Sequence, residues 1–363
     1  MTEPDKIHPL SRFLFIAAAI VFILWGISQA QSVLVSFLVS VFFAVLATPP
    51  VLWLERKRIP VVVAVMLVVA GMIFFLLAIG AVVGTSINSF YAALPQYQAR
   101  IQEQVMALKE FLASKNIALP EKILLKYVNP GAILNLTVGL FVRLGSALSN
   151  IVLILLTLTF ILFEITSFPV KLRAVLGDPH QVFPQFTRFV NDMKRYMVIK
   201  TLISLATGIL VTIWLYILHV DFPILWGFLA FLLNYVPSIG STIAGVPAVL
   251  LTLIQLGIWR AVLVAVGYML INLVLDYGVE TRLMGRKLDL STLVVFLSLM
   301  FWGSLLGPIG AVLCIPLTMT LKFAFENNES TRWIAVLLGP ENLTENIPPV
   351  SKKRIRFQDS KIT

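Results

Sequence analysis

Residues 60–84 read PVVVAVMLVVAGMIFFLLAIGAVVG, without one charged, amide or hydroxyl side chain. A bilayer core roughly 30 Å thick is crossed by about 20 helical residues at about 1.5 Å each. In hydrocarbon each backbone N–H and C=O needs a partner within the protein, so a run of this kind is a transmembrane helix. That reading decides the fold class, and the neighbouring sequence repeats it. Upstream, Glu55-Arg56-Lys57-Arg58 is a compact basic stop, preceded by apolar runs at 33–54 and 13–30. Pro49 and Pro50 bend the first of these near its end. The short polar start before residue 13 precedes an apolar run with no small-residue cleavage site, so the run is read as a retained span and not a signal peptide.

Downstream the character changes. Residues 85–143 mix apolar residues with Gln, Arg, Glu and Lys, and Val105, Leu108 and Leu112 recur at helical spacing. Pro95, Pro120 and Pro130 punctuate the stretch, which reads as a small amphipathic helical insert outside the membrane or at its surface. Further spans follow at 146–163, 197–220 and 261–278, and 290–325 is long enough for two. Residues 222–256 differ. Their two apolar pieces, 224–233 and 243–256, flank Asn234-Tyr235-Val236-Pro237-Ser238-Ile239-Gly240-Ser241. The first piece is too short to span, so a re-entrant hairpin fits better than two full crossings. The expected architecture is an all-α polytopic membrane protein of about eight transmembrane helices. Its domains are spans one to three in 1–84, the insert in 85–143, spans four to eight with the hairpin in 144–325, and a cytoplasmic tail in 326–363.

Composition agrees. Of 363 residues, 59% are hydrophobic and 13% charged, with a mean hydropathy of +0.93. Soluble domains are nearer half apolar and a quarter charged. The net charge of +10 reads as basic flanks of membrane spans, not as a nucleic-acid surface, since no basic domain with interleaved aromatics is present. With both termini in the cytoplasm, 21 of the 28 Lys and Arg residues lie inside and six of the other seven fall in the long insert. That is the positive-inside pattern of a bacterial inner-membrane protein. The lone Cys314 and the scattered His8, His180 and His219 offer no metal-ligand spacing. No catalytic or nucleotide-binding motif is present, so neither an enzyme nor a cofactor is expected.

Three stretches could carry chemistry. The first is the hairpin break: Pro237 lacks an N–H, Gly240 permits unusual backbone angles, and Asn234, Ser238 and Ser241 offer polar side chains. Broken helices at depth line substrate sites in transporters; the plain alternative is an extramembrane turn. The second is Asn272, Asp276, Glu280 and Arg282. Asp276 and Glu280 share a helix face at i, i+4, and ionisable residues at membrane depth are costly. An interfacial ion pair with Arg282 or Arg286 is the plain alternative, and Asn272 lies deeper. The third is the set of structural breaks Gly303, Gly307, Pro308, Gly310 and Pro316. These serve either a tight turn or a packing joint between the last two spans. Glu164 reads as a solvated cap, and Lys200 as a side chain snorkelling to the interface.

The pattern of these stretches resembles the autoinducer-2 exporter family. One match is Trp226-Gly227-Phe228-Leu229-Ala230-Phe231 running into Asn234-Tyr235-Val236-Pro237-Ser238-Ile239-Gly240-Ser241. Another is Gly267-Tyr268-Met269-Leu270-Ile271-Asn272-Leu273-Val274, continuing to Glu280, Arg282, Met284, Gly285 and Arg286. The third runs from Leu290-Ser291-Thr292 through Phe301-Trp302-Gly303 and Leu306-Gly307-Pro308 to Pro316-Leu317-Thr318; Leu94-Pro95-Gln96-Tyr97 and Lys200-Thr201 also fit. The resemblance implies a permease-type fold, export of the furanone signal autoinducer-2, and homo-oligomers, as pentamers. By position Asn234, Pro237 and Gly240 match the family's central break. Glu280 and Arg282 match its Glu-Pro-Arg element, although Thr281 stands between them here, and Asp276 and Tyr277 stand where small or amide residues are usual. Relatives in the wider family are associated with sodium/proton antiport. Three readings stay open: a secondary exporter of a small polar signal, with H+ or Na+ as coupling ions; a cation/proton antiporter using Asp276 and Glu280; and a non-transporting membrane scaffold with the insert as its binding module.

Overall fold

The apolar run at 60–84 sits in a helix much longer than itself. The computed structural model describes residues 9–114, 150–176, 184–237, 239–284, 290–327 and 330–339, together with residues 135, 138, 139 and 142. Helix α1 spans Pro9–Gln29, α2 Gln31–Arg56 and α3 Val61–Ser114. Helix α3 continues through Gly84 and Pro95, so the segment read as an insert begins as an extension of the third span. Residues 115–134 of that segment, the side chains of Val105, Leu108 and Leu112, and the tail beyond residue 339 lie outside the described residues.

The chain continues as α4 (Ile151–Leu176), α5 (Pro184–Ile217), α6 (Pro223–Leu233) and α7 (Gly240–Leu256). Helix α8 (Ile258–Asn272) runs on as a π-helical segment, Leu273–Glu280, and a short α9, Thr281–Met284. It ends with α10 (Thr292–Val312), α11 (Cys314–Glu326) and α12 (Arg332–Leu338). No strand occurs among the described residues. Five described helices are long and apolar enough to cross a membrane: Gln31–Arg56, Val61–Gln104, Phe186–Ile217, Ile258–Glu280 and Thr292–Val312. Ala17–Gln29, Ile151–Ile165, Pro223–Leu233 and Gly240–Leu256 are shorter apolar stretches. The protein is an all-α, multi-pass membrane protein. Its outer surface agrees: Phe15, Phe74, Val152 and Trp259 are all strongly exposed, as lipid-facing side chains are.

The buried hydroxyls of α2 are paired locally. Ser36, Ser40 and Thr48 of α2 donate to carbonyls one turn earlier, which hides polar hydrogens from lipid. Small Ala44 and Ala47 let α2 pack closely on Ala64 and Val65 of α3 and Leu158 and Leu162 of α4.

A second core surrounds the short helices α6 and α7. Trp226, Leu229 and Ala230 of α6 and Ala244, Ala248 and Leu251 of α7 pack with Phe90, Tyr97 and Ile101 of α3, Val211 and Leu215 of α5, and Val264 and Tyr268 of α8. Phe222 takes a left-handed conformation and Pro223 opens α6; Gly257 at φ 82° turns α7 into α8. Both arms of the hairpin thus start from one layer, and their far ends meet at 234–239.

The last apolar run breaks at one residue. Gly307 has φ 69° and ψ −152°, a region that essentially only glycine occupies. Beyond it the chain folds back. The Trp302 indole donates to the Thr318 hydroxyl at 3.1 Å, and Thr318 donates to Ser298 at 2.8 Å. A side chain at Gly310 would strike the Trp302 carbonyl. Among the residues read as breaks, Gly307 and Pro308 form the turn and Gly310 the close contact. Gly303 lies within a helical limb. Pro316 is in the first turn of α11, where its missing N–H is not needed, so it starts a helix and does not break one.

Candidate functional site: a polar layer under the hairpin tip

The tip forms because α6 runs out of helix at Asn234. Val236 N–H turns back to the Leu233 carbonyl at 2.9 Å, and Gly240 N–H reaches the Val236 carbonyl at 3.2 Å. A Cβ at Gly240 would overlap the Leu233 carbonyl, so the reversal needs glycine there. The C-terminus of α6 and the N-terminus of α7 therefore converge, bringing helix ends of opposite partial charge to one place. Pro237 is half-buried in the turn; Ser238 lies outside the described residues.

Asn234 is 2% exposed, and its amide donates to the Ser204 hydroxyl on α5 at 3.1 Å. The neighbouring Tyr235 hydroxyl donates to Thr201 Oγ1 at 2.9 Å, and Thr201 donates to the Met197 carbonyl. The ring of Tyr235 is held edge-on by Phe42 and Phe231. So α5 presents Thr201 and Ser204, within about one turn, to the hairpin tip.

Lys200 is not a snorkelling side chain. It is buried, and its Nζ lies 2.9 Å from Glu280 Oε2 and 3.1 Å from Oε1. Lys200 stands near the middle of α5 (Pro184–Ile217), several turns from either end of the helix. Glu280 thus pairs across helices, with Lys200 of α5. Arg282 is exposed on α9, and Arg286 lies outside the described residues. Asp276 is half-buried one turn before Glu280. The π-helical winding of Leu273–Glu280 holds these carboxylates in a segment of the kind often found at functional sites. Tyr196 and Cys314 pack in the adjoining buried cluster. Glu164 is exposed as expected, paired with Lys171 at 3.0 Å.

The other end of the hairpin is closed by a separate polar layer. Tyr97 Oη donates to Asp221 Oδ2 at 2.6 Å, Arg100 to the Gln255 carbonyl at 2.7 Å, and Gln104 to the Ile254 carbonyl at 3.1 Å. Gln255 accepts from Asp221 N–H at 3.0 Å, and the Trp226 indole donates to the Asp221 carbonyl at 3.0 Å. The extension of α3 thus satisfies carbonyls at the end of α7 that have no helical donor.

The structure brings Asn234 and Gly240 together at the tip. Asn272, Asp276 and Glu280 follow one another along α8 and its π-helical continuation, with Glu280 tied to Lys200 of α5, and Arg282 is exposed. Reading the sequence missed Ser204, Tyr235 and the role of Lys200. The available signal was Lys200-Thr201 followed by Ser204 inside an otherwise apolar span. It also missed Asp221 and Gln255, whose partners are far away along the chain.

Comparison with known proteins adds to this geometry. The family described as AI-2E family transporter matches residues 13–329. The chain is 38% identical over 331 residues to the AI-2 transport protein TqsA of Escherichia coli K12, covering 91% of this chain and 96% of the relative. It is 34% identical over 348 residues to the putative transport protein YhhT of the same organism, covering 95% and 99%. A putative transport protein of Haemophilus influenzae is 34% identical over 338 residues, covering 91% and 97%.

Proposed function

Because the chain belongs to the AI-2E family of transporters, we propose that it is a secondary transporter that exports the small polar signal autoinducer-2 from the cytoplasm. Its relative TqsA is named an AI-2 transport protein. The observation that carries the reading is the hairpin tip, where Asn234 sits buried at a helix break against Ser204. Backbone leaves helical geometry at membrane depth only where protein or a wet cavity satisfies it, and converging half-helix ends suit a polar solute. The pathway residues are Asn234, Pro237, Ser238 and Gly240 of the tip, with Asn272, Asp276, Glu280 and Arg282 leading to the cytoplasmic end. The working assembly is a homo-oligomer, a pentamer, in the inner membrane, with both termini in the cytoplasm and H+ or Na+ as coupling ion.

The test is uptake of labelled autoinducer-2 into inverted vesicles holding the purified protein, with and without a proton or sodium gradient. Saturable uptake that Asn234→Leu abolishes supports the reading; equal uptake by the variant removes the tip from the pathway.

A second reading, sodium/proton antiport, is favoured by the buried Lys200–Glu280 pair with Asp276 one turn away. It requires sodium-dependent pH change in the same vesicles, lost in Asp276→Asn/Glu280→Gln. Membership of a transporter family argues against a non-transporting scaffold.

A further inference from the structure

Of the four buried side-chain atoms without a hydrogen-bond partner among the described residues, two lie one turn apart on α8. The Tyr268 hydroxyl and Asn272 Oδ1 are buried, and neither makes a hydrogen bond within the protein. Tyr268 is 4% exposed. Burying such a group without a partner costs about 1–3 kcal/mol, and folded proteins hold few of them. Every buried hydroxyl of α2, by contrast, reaches a carbonyl in its own helix.

Their position gives this cost a use. The Trp214 indole donates to the Leu263 carbonyl at 3.2 Å, and Lys200 pairs with Glu280, which fixes α8 antiparallel to α5. Tyr268 and Asn272 fall between these two ties, on the stretch that leads to Asp276 and Glu280. The Tyr268 ring lies directly over Gly245 of α7, where an added Cβ would come within 3.1 Å of a ring carbon. Tyr268 therefore sits where the hairpin's second arm meets α8, and Asn272 follows one turn on.

We propose that Tyr268 and Asn272 form a two-point hydrogen-bonding site for a neutral hydroxylated solute. A phenol both donates and accepts, and an amide oxygen only accepts, so the solute must offer at least one donor. A hydroxyl meets both demands. An anion meets only the phenol, faces the amide oxygen's lone pairs, and has the Asp276 carboxylate one turn on. The proposal rests on the exporter reading for its direction of flow, and it adds Tyr268 as the residue that selects for hydroxyls.

The experiment compares wild type, Tyr268→Phe and Asn272→Ala in two assays. One is the melting temperature of purified protein with and without autoinducer-2, glycerol, erythritol or ribose. The other is the KM for vesicle uptake of the same probes. Tyr268→Phe is expected to melt at or above the wild-type temperature without probe, because it deletes an unpaired hydroxyl. It is expected to lose the probe-induced shift and to raise KM about five-fold, the loss of one hydrogen bond of about 1 kcal/mol. Asn272→Ala should lose the same shift. An unchanged shift and KM in Tyr268→Phe overturns the site. So does a lower melting temperature with KM unchanged, which marks a structural hydroxyl. If wild-type vesicles take up none of the probes but a probe stabilises wild type and not Tyr268→Phe, the site stands and the exporter reading falls. If no probe stabilises or enters the wild type, both fall.

Discussion

Lys200 and Glu280 form an ion pair at 2.9 Å whose side chains are 7% and 16% exposed. It ties the middle of α5 to the last turn of the π-helical segment. Desolvation nearly cancels the attraction in such pairs, but removing one member leaves an unpaired buried charge and costs about 3–5 kcal/mol. Lys200→Met and Glu280→Gln should each destabilise by about that amount, and the double variant by clearly less than the sum. Denaturant unfolding in detergent across the four-protein cycle measures this. Additive losses would show that the two side chains do not act together.

Cys314 is the single cysteine of the chain, and it is free and buried. It packs with Tyr196 and Met197 of α5, next to Lys200. A maleimide should therefore label it very slowly in the folded protein, since a buried thiol is inert. Lys200→Met, by loosening α5 here, should speed labelling. Rapid labelling of wild type would mean that this face opens to water at rest.

Gly240 and Gly307 predict different failures. Gly240→Ala drives a methyl into the Leu233 carbonyl, so the tip must open and transport should fall sharply, with α5 and α8 still helical. Gly307→Ala forces alanine into a backbone region where it costs about 1–3 kcal/mol, so stability of the final helical hairpin falls first. Circular dichroism and melting temperature, read beside vesicle uptake, separate the two. Loss of transport in Gly307→Ala at full stability would contradict this assignment.

Tyr97 and Tyr268 should respond in opposite ways to the same change. Tyr97 donates to the Asp221 carboxylate at 2.6 Å, and a hydrogen bond to a charged group contributes about 1.5–3 kcal/mol. Tyr97→Phe should lower stability by about that amount and expose the hairpin base to proteolysis. A neutral Tyr97→Phe would show that the extension of α3 does not clamp the hairpin.

Membrane spans were legible because lipid leaves a chain few options. Uninterrupted apolar length implies helix, as at 60–84, and basic stops such as Arg56-Lys57-Arg58 mark the ends. The hairpin was legible for a related reason: 224–233 is too short to cross, and Pro237 and Gly240 supply a break. Within the final run the turn could be placed only between Gly303 and Gly310, since several glycines compete and only the backbone angle at Gly307 singles one out.

By itself the sequence determined the class of solvent, the helical content and the residues able to break a helix, since these follow from local composition and backbone chemistry. The tertiary structure alone decided who pairs with whom. Lys200 and Glu280 are 80 residues apart, Asn234 and Ser204 are 30 apart, and Tyr97 and Asp221 are 124 apart. No local rule links such positions. Each pairing arises because a buried charge or amide must find its partner on whichever helix packing brings beside it.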